Sequence, residues 1–214
     1  MTTDASIADI EAAVAGSTAP RLFLEMAAAN EALEALHSMR DDGSWDTWTF
    51  ADLREQVGVA AAGLLDAGVA PGERVLLMMR NRPDFHWLDI AAQFVRATPV
   101  SIYNSSSPEE VQHLASHAEA RIAIVEDAGF LERILKVRGE LPALERIYVL
   151  EPPDGDLPDG VVAASELMNK GSADLTALAD ATQPDDLATL IYTSGTTGPA
   201  KGVMIDQHNV VYTV

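Results

Sequence analysis

Val75-Leu76-Leu77-Met78-Met79 is an unbroken apolar run set between the turn Pro71-Gly72 and the segment Asn81-Arg82-Pro83. A strand with one wet face alternates apolar and polar residues. A short run without that alternation, flanked by turn signals, predicts a fully buried strand. Such a strand needs cover, and the neighbouring segments supply it. Thr49 and Asp52 form a capping box for a helix whose Phe50, Leu53, Val57, Ala60 and Leu64 share one face, and Gly68 stops it. Pro83 occupies a favoured first helical position, and its helix runs to about Arg96. Phe85, Trp87, Leu88, Ile90, Ala91, Phe94 and Val95 cover more than one face of that helix, which places it between layers.

The rhythm continues. Residues 98–103 read as a strand, and Ser107 with Glu110 caps a helix that begins at Pro108 and carries Val111, Leu114 and Ala118. Residues 121–125 and 146–150 read as strands separated by a helix over 130–138. Alternation of this kind implies an α/β fold with a mostly parallel sheet flanked by helices. Ahead of it, residues 6–15 form a capped helix with Ile7, Ile10 and Val14 in a stripe, residues 20–29 a second helix, and residues 33–40 and 45–50 a β-hairpin around Asp41-Asp42-Gly43-Ser44. Residues 151–160 read as a loop, followed by a helix from Ser165. No repeat or long linker divides the chain, so residues 1–214 are treated as one unit.

Composition narrows the function classes. At 214 residues and 48% apolar content the chain affords a sizeable core. Its formal charge of −19 disfavours nucleic acids and anionic membrane surfaces as partners, since both require a basic footprint. There is no cysteine, hence no disulfide, thiolate metal site or cysteine nucleophile. The first residues, Met1-Thr2-Thr3-Asp4-Ala5-Ser6, lack a secretory signal, and no apolar run approaches the ~18 residues of a transmembrane segment. These features predict a soluble, cytoplasmic protein.

The chemistry is concentrated in Tyr192-Thr193-Ser194-Gly195-Thr196-Thr197-Gly198-Pro199-Ala200-Lys201-Gly202-Val203. The apolar run 187–192 before it reads as a buried strand, from whose end the segment emerges as a hairpin. Gly195, Gly198 and Gly202 remove Cβ obstacles and permit positive φ, so that backbone N–H groups can turn toward phosphate oxygens. Thr193, Ser194, Thr196 and Thr197 offer hydroxyl donors and Lys201 a point charge. A polyphosphate is the ligand this composition suits. Neither a Walker A loop nor a dinucleotide fingerprint fits: Ala200 precedes Lys201, Gly202 follows it, and no Gly-x-Gly-x-x-Gly occurs.

The pattern resembles that of the AMP-forming adenylate-forming enzymes, whose signature runs Tyr/Phe-Thr-Ser-Gly-Thr-Thr-Gly-x-Pro-Lys-Gly-Val. The match covers Tyr192 to Gly198 and Lys201 to Val203, and Pro199-Ala200 reverses the usual order between them. Further resemblances stand in the right order upstream: Trp48-Thr49-Phe50-Ala51-Asp52-Leu53, Gly68-Val69-Ala70-Pro71-Gly72-Glu73-Arg74-Val75 and Asn81-Arg82-Pro83-Asp84-Phe85. Ser101-Ile102-Tyr103-Asn104-Ser105-Ser106-Ser107-Pro108-Glu109-Glu110 is most similar to long-chain fatty acyl-CoA synthetases. Gln207 stands where many members carry His, with His208 adjacent.

The resemblance implies the front portion of the large N-terminal domain of that fold. It further implies an ATP-dependent fatty acid:CoA ligase that forms acyl-AMP and then acyl-CoA, with ATP, Mg2+ and CoA as cofactor and co-substrates. Thr193, Ser194, Gly195, Thr196, Thr197, Gly198 and Lys201 are then the residues facing the ATP phosphates. The family's later adenine- and ribose-binding segments and its small C-terminal domain have no counterpart in residues 1–214, so this stretch alone is expected to be inactive, with no catalytic residue of its own. The alternative is a non-catalytic remnant or interaction protein that keeps the front half of the fold.

His113 and His117 lie four apart on one helix, but no third ligand accompanies them, and a solvated face is expected. Asp154, Asp156 and Asp159 lack the glycine and glutamate of a calcium loop, so a mobile acidic loop is expected. Trp45, Trp48 and Trp87 read as packing residues, and Ser194 has no histidine and aspartate partners for a hydrolase triad.

Overall fold

The computed structural model describes residues 6–193 and 199–213. Its centre is a five-stranded parallel sheet of order β4-β3-β5-β6-β7: Thr98–Ser101, Arg74–Met78, Ile122–Val125, Arg146–Val149 and Val161–Ala163. Along β3 successive side chains enter opposite layers. Val75 and Leu77 pack with helices α3 (Phe50–Asp66) and α4 (Pro83–Phe94). Leu76 and Met78 pack with α5 (Pro108–Ala118) and α6 (Ala128–Val137). With both faces covered, nothing in the strand needs to be polar, which is why the apolar run reads without alternation.

The capping boxes at Thr49/Asp52 and Ser107/Glu110 form as the sequence indicates, as does one at Ser6/Asp9 for α1 (Ile7–Val14). Helix α2 (Ala19–Ala29) follows, and the hairpin pairs β1 (Glu34–Met39) with β2 (Trp45–Thr49). Trp48 packs on Trp87 with ring centroids 6.1 Å apart, while Trp45 lies exposed on the hairpin against His37. Helix α4 ends at Phe94, slightly short of the expected Arg96. Arg96 itself takes the left-handed conformation at φ 60, and its guanidinium grips Asp186 through two bonds of 2.7 and 2.9 Å. The helix therefore stops and turns toward the segment around Asp186.

Strand β7 escapes the periodicity, since three residues are too few to register a period, while the helix expected from Ser165 forms as the four-residue α7 (Ala164–Leu167). Helix α8 (Leu175–Ala181) starts at Asp174, whose carboxylate caps the Thr176 and Ala177 N–H groups.

The last pair, β8 (Leu187–Thr193) and β9 (Lys201–Asp206), forms a separate antiparallel hairpin, followed by α9 (Gln207–Tyr212). Strand β8 lies beside the sheet edge at β4, but no ladder joins the two among the described residues. Pro99 in β4 has no N–H to offer that edge. Side chains make the junction instead: the Thr189 hydroxyl donates to the Pro99 carbonyl at 3.2 Å and the Thr98 hydroxyl to that of Leu187 at 3.5 Å. The expectation of a buried strand at 187–192 is thereby corrected. Ala188 and Tyr192 are buried, but Ile191 is 44% exposed, because a two-stranded hairpin at the sheet edge has one face uncovered.

Candidate functional site

Thr193 and Lys201 are cross-strand partners at the connection end of the β8–β9 hairpin, and both are exposed. The register therefore puts a hydroxyl and an ammonium side by side at the mouth of the hydroxyl-rich connection. Of the other residues the sequence singles out, Ser194, Gly195, Thr196, Thr197 and Gly198 lie outside the described residues.

Gly202 is a strand residue rather than a positive-φ turn, which corrects the sequence reading. It sits opposite Tyr192, and a Cβ there would come within 3.3 Å of the Tyr192 ring carbon Cζ. The missing side chain lets the aromatic ring lie across the glycine, a cross-strand pairing that fixes the register of the hairpin stem. Tyr192 is 6% exposed, and burial raises its hydroxyl pKa above the ordinary phenol value. It stays a neutral hydrogen-bonding group across the physiological range.

His117 is exposed, as the solvated-face expectation has it, and His113 is half-buried, but both rings also have protein partners that the sequence did not indicate. Helix α5 turns that face toward the hairpin. His113 Nε2 lies 3.0 Å from the Ala200 carbonyl oxygen, and His117 Nδ1 lies 2.8 Å from the Tyr192 hydroxyl. Among the described residues no three His, Cys, Asp or Glu side chains gather as a metal site, at these histidines or at Asp154, Asp156 and Asp159. Between α5 and the hairpin a cleft of about 510 Å³ opens, bordered by Tyr103, Ser105, Glu109, His113, Tyr192 and Ala200.

An open parallel sheet has a second place where an anion would be expected. That place is the crevice between the C-terminal ends of β3 and β5, where the chain reverses its winding direction. Here the protein fills that crevice with its own charges. Glu126, 7% exposed, accepts from the Arg80 N–H at 2.6 Å and from its guanidinium at 2.8 Å. Asp127 pairs with Arg80 at 2.6 Å and caps α6 through the Gly129 and Phe130 N–H groups. Burial would raise the Asp127 carboxyl, but Arg80 and those N–H groups outweigh it and hold it below the ordinary range. The groups that would receive a phosphate at this switch point are already occupied.

Gln207, at the position where the family pattern often has His, is 1% exposed. Its Oε1 accepts from the Ala19 N–H at 2.9 Å and its Nε2 donates to Gln93 Oε1 at 3.3 Å. Gln93 in turn donates to Asp89 at 3.1 Å. This amide is a tie between α2, α4 and α9, and its hydrogen-bonding atoms face the protein interior.

Comparison with known proteins decides the family. A model described as AMP-binding enzyme matches residues 23–214. The chain belongs to the AMP-binding enzyme family. It is 34% identical over 173 residues to the long-chain-fatty-acid–CoA ligase FadD15 of Mycobacterium bovis, a match covering 81% of this chain and 28% of that protein. It is 31% identical over 200 residues to the human long-chain-fatty-acid–CoA ligase ACSBG1, covering 92% of this chain and 28% of that one. The chain thus spans under a third of these relatives. Among solved structures, the anthranilate CoA ligase AuaEII in complex with anthranoyl-AMP superposes with a TM-score of 0.74 at 23% identity, over 90% of this chain and 35% of that one. The N-terminal domain of FACL13 from Mycobacterium tuberculosis gives 0.71 at 22% identity, over 89% and 44%. These two likenesses establish the fold: the parallel sheet with its flanking helices is that of the N-terminal domain of adenylate-forming enzymes. No helix among the described residues of this AMP-binding family member is long and apolar enough to cross a membrane.

Proposed function

We propose that residues 1–214 form the front part of the nucleotide-binding domain of a cytoplasmic, AMP-forming fatty acid:CoA ligase, and that Thr193 to Gly198 with Lys201 face the phosphates of ATP. The observation that carries this reading is the Thr193–Lys201 register: it sets a cation and a hydroxyl across the mouth of a segment rich in glycine and hydroxyls. The reaction brings a carboxylate against the α-phosphate, so two anions must approach. Charge neutralisation and oriented donors are the physical requirement, and Lys201 with the hydroxyls and N–H groups of the segment supply them. Mg2+, when bound with the nucleotide, would add to the neutralisation of phosphate charge that Lys201 and the hydroxyls provide. The long-chain specificity and CoA as acceptor rest on the similarity to FadD15 and ACSBG1.

The reading is tested by titrating the chain with magnesium tripolyphosphate and with Mg-ATP. Removing one charge-assisted contact costs roughly 1.5–3 kcal/mol, so Lys201→Ala is expected to weaken both ligands by about 10- to 100-fold. Equal affinity of the variant and the parent protein refutes the assignment. Because the chain spans under a third of its ligase relatives, we further expect it to show no fatty-acid-dependent ATP–pyrophosphate exchange on its own. Robust exchange by the purified chain would overturn that expectation.

A further inference from the structure

Helix α5 reaches both stems of the phosphate segment. Tyr192 directly precedes Thr193, and Ala200 directly precedes Lys201. His117 meets the first stem at the Tyr192 hydroxyl, 2.8 Å from Nδ1, with the two rings edge to face at 5.6 Å. His113 meets the second at the Ala200 carbonyl, 3.0 Å from Nε2. A carbonyl oxygen only accepts, so the His113 ring carries its proton on Nε2 and donates. The tyrosine hydroxyl both donates and accepts, so the His117 contact is satisfied in either ring tautomer.

The platform behind these contacts is rigid. Val111, Leu114, Ala115 and Ala118 bury one face of α5 in the core under the parallel sheet. Arg133 of α6 donates to the Asn104 carbonyl and, at 3.3 Å, to that of Ser106, fixing the segment that leads into the helix. The hairpin, by contrast, has no strand ladder to the sheet edge among the described residues; two threonine hydroxyl bonds, the Arg96–Asp186 pair at its foot and the packing of Leu190 and Tyr192 hold it there. Nearest its mouth, the side-chain hydrogen bonds that hold it are those from α5.

We propose that His113 and His117 are positioning residues that pin the two stems of the phosphate segment to α5, so that Thr193 and Lys201 meet a polyphosphate in a fixed orientation. The proposal rests on the phosphate-binding reading above. It assigns the histidine pair neither to metal nor to catalysis.

The test uses the 214-residue chain with His113→Phe and His117→Phe, which keep an aromatic ring but remove the hydrogen bond, and His113→Gln, which restores a donor. Tyr192→Phe removes only the hydroxyl. Amide hydrogen exchange at Thr193 and at 200–202, the thermal midpoint, and the affinity for magnesium tripolyphosphate are measured for each. Loss of one neutral hydrogen bond is expected to weaken tripolyphosphate by about 2- to 12-fold and to speed exchange at the matching stem, with exchange in β3 and β5 unchanged. His113→Gln is expected to recover affinity. Tyr192→Phe combined with His117→Phe should lose no more than either alone.

Faster stem exchange with unchanged affinity would reduce the pair to a structural tie and overturn the positioning role. Unchanged exchange would overturn it as well. Lys201→Ala separates the two readings: if it weakens tripolyphosphate while the histidine variants do not, the positioning proposal alone falls. If the parent chain ignores millimolar tripolyphosphate, the phosphate-binding reading falls and takes this one with it.

Discussion

Asp89 offers the sharpest quantitative test of the packing. It lies on α4, and burial holds its carboxyl near a pKa of about 6, against an ordinary value of 3.8, even though Gln93 donates a hydrogen bond that favours the ionised form. A carboxyl whose pKa is raised by folding binds its proton more tightly in the folded chain than in the unfolded one. Ionised Asp89 therefore destabilises the fold above pH 6, and the penalty fades as the pH falls from 6 toward 4. At about 1.4 kcal/mol per pH unit the penalty reaches roughly 3 kcal/mol. That is an upper bound, because Asp89 keeps some contact with solvent. Asp89→Asn removes the charge and leaves an amide oxygen to accept from Gln93, so the chain of bonds to Gln207 and Ala19 survives. Urea unfolding of both proteins from pH 4 to pH 8, followed by circular dichroism, should show the variant more stable by about 1–3 kcal/mol above pH 7 and equal near pH 4. All other titrating groups are shared, so they cancel in the difference. A variant that is less stable at pH 7.5, or a gain that persists undiminished at pH 4, would refute the reasoning.

Gly63→Ala should be costly: a Cβ there would stand 2.1 Å from the Leu167 carbonyl oxygen and 2.7 Å from its Cγ, forcing α3 and α7 apart for about 1–3 kcal/mol. Gly139→Ala, which meets nothing within 4 Å, is the control; melting both shows whether the close approach matters, and equal midpoints would deny it. Gln207→Leu leaves the half-buried Ala19 N–H and the Gln93 amide oxygen unpaired, and denaturant unfolding should record a loss of about 1–3 kcal/mol. An unchanged midpoint would mean that water or a shifted helix replaces the amide.

Much of this protein is legible along the chain. The unalternated run at β3, the capping boxes at Thr49 and Ser107, the Pro83 helix start and the hydroxyl-rich segment before Lys201 are local signals. Each follows from backbone geometry within a few residues, and together they give the α/β class and the family resemblance. What the chain alone leaves open are pairings across long separations. His113 and His117 meet partners 87 and 75 residues away, and Gln207 reaches Ala19 across 188. Helical spacing puts the two histidines on one face, but only the docking of the β8–β9 hairpin at the Pro99 edge gives their ring nitrogens protein partners. The same docking leaves Ile191 half in solvent, and the layering of α4 against its neighbours moves the Asp89 carboxyl. Periodicity reports which residues share a surface; which surface lies opposite is decided when the layers assemble, because burial and hydrogen-bond partners belong to the contact and not to the strand or helix by itself.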